Sequence, residues 1–137
     1  MSAEQLFSLC GLLALAGWIL LIAAPRNARA TAIAGTVIPG VLSCLYLLLL
    51  AFHAAGTRGG FSSLAAVAEL FSNQWLLLAG WVHYLAFVLF VGTWETRDAA
   101  GRGISRWIVA PCLLLTFLFG PIGWLAYHLV RRTRARA

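Results

Sequence analysis

The chain has 137 residues, 62% of them hydrophobic and 10% charged, with a formal net charge of +6. A soluble domain carries about 25% charged residues, so a water-soluble fold is excluded and one membrane-embedded domain is expected. All ten basic residues are arginine. Without lysine there is no Schiff-base, pyridoxal-phosphate or P-loop chemistry, and arginines scattered through short loops fit anionic lipid headgroups rather than nucleic acid.

The first apolar stretch covers about residues 6–24. Glu4 and the lack of a positive charge ahead of it argue against a cleaved signal peptide, so it reads as a membrane helix. A second stretch covers about 31–53, and Pro39 within it leaves the Gly35 carbonyl without a helical partner. Such a break marks either a packing kink or a cavity-lining segment. Then comes a loop with the flexible run Gly56-Thr57-Arg58-Gly59-Gly60. After it, Phe61, Leu64, Ala65, Ala68 and Phe71 recur at helical spacing behind Ser62 and Ser63 as candidate caps. A short interfacial helix is expected over 62–72.

The third stretch covers about 75–96 and the fourth about 107–130, the latter with Pro121 freeing the Phe117 carbonyl. Each of the four is close to the roughly 20 residues needed to cross a bilayer. The expected fold is therefore all-α: an integral membrane bundle of four transmembrane helices, with the interfacial helix between the second and third. Four crossings put both termini and the long loop on one side. That side holds Arg58 and the arginines at 131, 132, 134 and 136, and the other holds Arg26, Arg29, Arg97, Arg102 and Arg106. Five against five assigns no orientation. Cys10, Cys44 and Cys112 all lie in apolar stretches without metal-site spacing and read as small buried hydrophobes.

Titratable groups are few, which makes His83 in GWVHYLAFVLFVGTWETRD conspicuous. It falls about 12 Å below Trp75 at 1.5 Å per residue. With four crossings, His53, His83, His128 and Glu69 share one half of the membrane. Three imidazoles there could hold a divalent metal such as zinc, or two of them a haem. His53 and His128, near span ends, read more readily as interface anchors than as ligands. An ionisable group well inside a span is expected to face the bundle interior and to serve function, the plainer alternative being a hydrogen bond across the bundle. Leu76, Ala79 and Gly80 share its face with Phe87, Phe90 and Trp94, a pattern that makes either a slot for a long planar hydrocarbon or simple aromatic packing. A second face carries Trp81, Tyr84, Val88 and Glu95, of which Tyr84 and Glu95 can exchange protons.

The strings WVHYLAF, LFVGTWETRDA and PCLLLTFLFGPIGWLAYHLVRR, with GWILLIAAPR and YLLLL upstream, resemble the small membrane proteins related to the plant abscisic-acid-deficiency-four protein, the neoxanthin synthase family. The resemblance covers most of the chain and implies a role in carotenoid metabolism. Plant members are needed to turn violaxanthin into neoxanthin, an epoxide-opening rearrangement without net redox change. Trp81, His83, Tyr84, Gly92, Asp98, Gly120, Pro121, Gly123, His128 and Arg131 match the family pattern. Val88 departs from it, since the family usually has Asp there. A missing carboxylate means either an inactive variant or one that uses Glu95 or Asp98 instead.

Three functional readings follow. The first is a carotenoid isomerase or rearrangement enzyme, with His83, Tyr84, Glu95 and His128 as acid–base groups. Its polyene would lie against Gly80, Trp81, Phe87, Phe90, Trp94, Gly120 and Pro121. The second is a binding protein: a haem- or metal-holding subunit using His53, His83 and His128, or a carotenoid chaperone. The third is a small dual-topology transporter, disfavoured because no acidic residue is placed mid-membrane. The bilayer and an apolar polyene are the expected partners, with a homo-oligomer as a further option. Arginine in place of lysine throughout suggests a GC-rich bacterial genome and so the cytoplasmic membrane.

Overall fold

The computed structural model describes residues 1–134. It contains six helices: α1 (Ala3–Ala23), α2 (Ala28–His53), α3 (Leu64–Leu70), α4 (Gln74–Gly101), α5 (Arg106–Phe119) and α6 (Pro121–Arg134). Polar side chains start the first four. Ser2 and Gln5 form a reciprocal capping box on α1, with Ser2 Oγ accepting from the Gln5 amide at 3.2 Å and Gln5 Oε1 accepting from Ser2 at 2.9 Å. Asn27, Ser63 and Asn73 accept first-turn amides of α2, α3 and α4.

Helix α4 is the axis of the bundle. Parallel to it runs α1, with Phe7 on Trp81, Gly17 on Leu89 and Trp18 on Gly92. Antiparallel runs α2, with His53 on Trp75, Tyr46 on His83, Gly35 on Thr93, and Arg97 donating to the Thr31 carbonyl. Helices α1, α2 and α4 are long and apolar enough to cross a membrane. Their outward faces, with Leu12, Ile19, Leu47, Phe52 and Leu77, are apolar as well. Helices hydrophobic all round suit lipid, where close packing of small residues rather than escape from water holds them together.

Pro39 acts through packing. The turn before it, Ile33–Val37, is a π-helix, with the Ile38 amide bonding the Ile33 carbonyl. Gly35 in that turn lies so close to Thr93 that a Cβ would not fit. The break thus lets α2 approach α4.

The fourth apolar stretch differs most from expectation, because it is not one helix. Gly120 has φ +53 and separates two 14-residue helices. The arms then fold against each other, with Gly123 pressed onto Thr116 so closely that a side chain could not be accommodated. Pro121 cannot continue α5 but is well suited to the first position of α6, and Gly120 supplies the left-handed turn between them. Val88, halfway along α4, packs at this tip beside Gly120. From there α6 runs back to the end where α5 began, and Tyr127 and Arg131 reach Asp98. Helix α3 forms as Leu64–Leu70, shorter than the expected 62–72, and Phe61 and Leu64 are exposed.

Candidate functional site

Three hollows follow one another along the side of α4 and share their walls. One of about 620 Å³ lies under the long loop between α2 and α4, lined by Tyr46, Leu50, Gly60, Phe71, Gly80 and His83. A second, about 590 Å³, takes in Phe71, Gly80, Trp81, Tyr84, Phe117 and Leu118. The third, about 480 Å³, sits at the hairpin tip among His83, Tyr84, Phe87, Val88, Thr116, Gly120, Pro121 and Trp124. Phe71 and Gly80 join the first to the second, Tyr84 the second to the third, and His83 the first to the third. Together they make a lateral, mostly apolar groove from the loop to the middle of the bundle.

His83 lies in this groove rather than in the bundle interior. Val82, Leu85, Ala86 and Leu89 fill the inward face of α4 and are all at most 5% exposed, which turns position 83 outward. Its ring stacks on Phe87 at 4.6 Å and tilts against Tyr46 at 5.3 Å. Gly80, Phe87, Gly120 and Pro121 line the groove with it, as does Trp81. Phe90 is 57% exposed and lines none of the three hollows, and Trp94 packs on α6.

Tyr84 donates from its hydroxyl to the Phe117 carbonyl at 3.4 Å. That carbonyl is the one that Pro121 leaves unpaired, so Tyr84 closes the hairpin tip while also lining the groove. Glu95 is fully buried. The Thr116 hydroxyl lies 2.9 and 3.0 Å from its two carboxyl oxygens, and among the described residues Glu95 joins no ion pair. Thr116, itself buried, is among the residues lining the third hollow, and so links the carboxyl to the groove wall. Sequence reasoning found Glu95 but not Thr116, whose contact comes from another helix.

His128 stands apart, because α6 turns back. It packs between Trp94 and Trp124, with Nδ1 3.1 Å from the Trp124 carbonyl oxygen. His53 lies flat on Trp75 at 4.6 Å near the opposite end of α4. The expected metal site at His53, His83 and His128 is therefore not assembled. Among the described residues no three His, Cys, Asp or Glu side chains are grouped to hold a metal. Cys10 and Cys112 are buried as expected, whereas Cys44 faces outward.

A cluster that sequence reasoning did not assemble ties α6 to α4. Tyr127 donates to Asp98 Oδ2 at 2.7 Å, with Arg102 Nε at 2.8 Å and Arg131 Nε at 3.4 Å from the same oxygen. Arg131 also lies over Trp94. The local half was readable, since Asp98 and Arg102 are four apart on a helix. The rest required knowing that the hairpin returns.

A family model described as ABA DEFICIENT 4-like matches residues 5–127. No curated protein and no solved structure matches the chain.

Proposed function

Since this chain belongs to the ABA DEFICIENT 4-like family, we propose that it binds a carotenoid-like polyene in the lateral groove and isomerises or rearranges it there. One observation supports this most: the first and third hollows share His83, so a long apolar ligand lying in the groove brings part of its length against an imidazole. From Leu76 to Val91 the groove follows α4 for about 22 Å at 1.5 Å per residue. Phe71, Phe87 and Trp124 give flat apolar walls for a conjugated chain.

Isomerisation needs a proton delivered and a proton removed, with no oxidant. If the ligand is an epoxide, protonation of its oxygen lets a C–O bond open to an alcohol, and loss of a carbon-bound proton closes the rearrangement. His83 is the donor at the groove wall. Glu95 is the acceptor, reached through the Thr116 hydroxyl. Tyr84, engaged with Phe117, shapes the site instead of reacting, and His128 lies outside the groove, behind Trp124.

Co-expression with a polyene-producing pathway tests this. The pigment chromatogram should change with the wild-type chain and revert with His83→Ala, whereas an unchanged chromatogram across several candidate polyenes counts against it. A second reading, a polyene-binding protein without turnover, is favoured by Val88. This apolar side chain stands beside Gly120 at the groove tip, where the family resemblance leads one to expect a carboxylate.

A further inference from the structure

The hairpin changes the distribution of charge about the membrane. Each arm has 14 residues, about 21 Å at 1.5 Å per residue, too short for the roughly 30 Å hydrocarbon layer. Its tip lies beside Val88 at the middle of α4, and both of its ends lie near the end of α4 that carries Asp98 and Arg102. A turn at that depth requires its backbone groups to be satisfied within the protein. The Gly120 amide bonds the Thr116 carbonyl, the Gly123 amide bonds the Gly120 carbonyl, and Tyr84 takes up the Phe117 carbonyl.

Arg26 and Arg29 follow α1 at this end, Arg97, Arg102 and Arg106 surround the end of α4, and Arg131, Arg132 and Arg134 close α6. Among the described residues the opposite end has Arg58 alone, together with Glu4 and Glu69. The balance of five against five expected for four crossings therefore becomes strongly one-sided. Arginines in short loops and close to helix ends are retained on the cytoplasmic side, where anionic headgroups also attract them.

We propose that the chain crosses the membrane three times, with α5 and α6 as a re-entrant hairpin, its arginine-rich end in the cytoplasm and its amino terminus outside. The groove then opens beneath the long loop into the leaflet away from the cytoplasm, and its ligand enters from that leaflet. This topology stands whether or not the ligand is a polyene.

Single cysteines at two exposed sites test it, Ser62→Cys in the long loop and Thr133→Cys at the end of α6, in a chain whose native Cys10, Cys44 and Cys112 are replaced by alanine. Intact cells are treated with a membrane-impermeant maleimide before and after permeabilisation. Ser62→Cys should label fully in intact cells, and Thr133→Cys should rise several-fold only after permeabilisation. Equal labelling of the two sites in intact cells means four crossings or two coexisting orientations, and the mirrored pattern means the reverse orientation; each overturns the proposal. A fluorescent protein fused to the carboxy terminus of the unaltered chain, which matures only in the cytoplasm, gives an independent reading should the cysteine-free chain fail to fold. Bright cells support the topology and dark cells with full-length fusion overturn it.

Discussion

The Tyr84 hydroxyl lies 3.4 Å from the Phe117 carbonyl oxygen, the acceptor that Pro121 cannot reach with an amide. One side chain thus couples the middle of α4 to the tip of the hairpin. Tyr84→Phe removes this bond and should lower stability by about 1 kcal/mol, as for a typical intramolecular hydrogen bond. Unfolding in mixed micelles measures it. If Tyr84 serves structure, any ligand-processing activity should survive in the folded fraction, and complete loss of activity at unchanged stability would contradict that role.

Gly120 and Gly123 make the turn for different reasons. Gly120→Ala must hold a side chain at φ +53 and should cost about 1–2 kcal/mol. Gly123→Ala meets the Thr116 backbone directly and should force the arms apart, a larger effect. A ranking of melting temperatures with Gly123→Ala lowest checks the pair.

Thr116→Val would leave Glu95 buried without its hydrogen-bond donor. An unsatisfied buried polar group costs about 1–3 kcal/mol, so this variant should be clearly destabilised. Glu95→Gln keeps a side chain that still hydrogen-bonds Thr116 and should unfold close to wild type. If Glu95 accepts a proton through Thr116, Glu95→Gln should nevertheless abolish ligand turnover while ligand still binds. Paired turnover and binding assays on the folded variant decide this.

Asp98 holds Tyr127, Arg102 and Arg131 to one oxygen. The arginines are partly exposed, so most of the coupling should reside in the Tyr127 bond. A double-mutant cycle of Asp98→Asn and Tyr127→Phe should show coupling of about 1 kcal/mol, with a smaller value for Asp98→Asn and Arg131→Gln.

Val88→Asp introduces a carboxylate beside Gly120 in the groove wall. If Val88 is what limits the chain to binding, this variant should gain turnover of a polyene that the wild type only retains. Product chromatograms of the two chains checks it.

Helices α1, α2 and α4 were legible because an apolar run near 20 residues has few other uses. The hairpin was not legible in the same way. Hydropathy over 107–130 is equally consistent with one crossing helix and with two short arms. The distinguishing signal lay in Gly120-Pro121-Ile122-Gly123: a residue suited to positive φ, one unable to continue a helix, and one small enough for the arms to touch. Taking Pro121 alone suggested a break within one crossing helix, either a packing kink or a cavity-lining segment. That single step also misplaced His128 and Arg131, while Arg136 lies outside the described residues. The direction of His83 was hidden because α4 is apolar on every side, leaving periodicity little contrast. The rule that ionisable groups face inward does not hold for it, because the groove beside α4 gives the ring aromatic neighbours outside the core. Glu95 was found as a proton-exchanging group, but its pairing with Thr116 joins residues 21 apart and depends on how α5 packs.

The groove is the centre of the account, and occupancy by a pigment tests it most directly. Gly80 borders both the first and the second hollow, and its missing side chain lets the Phe71 ring pack directly against α4, so that even a Cβ there would crowd the ring. The protein is purified from a carotenoid-producing host, and its visible absorption is compared between wild type and Gly80→Phe, with folding of both checked by circular dichroism. The account predicts a three-peaked carotenoid band that copurifies with the wild type and is lost in Gly80→Phe. No band with the wild type, or the same band in both, would contradict it.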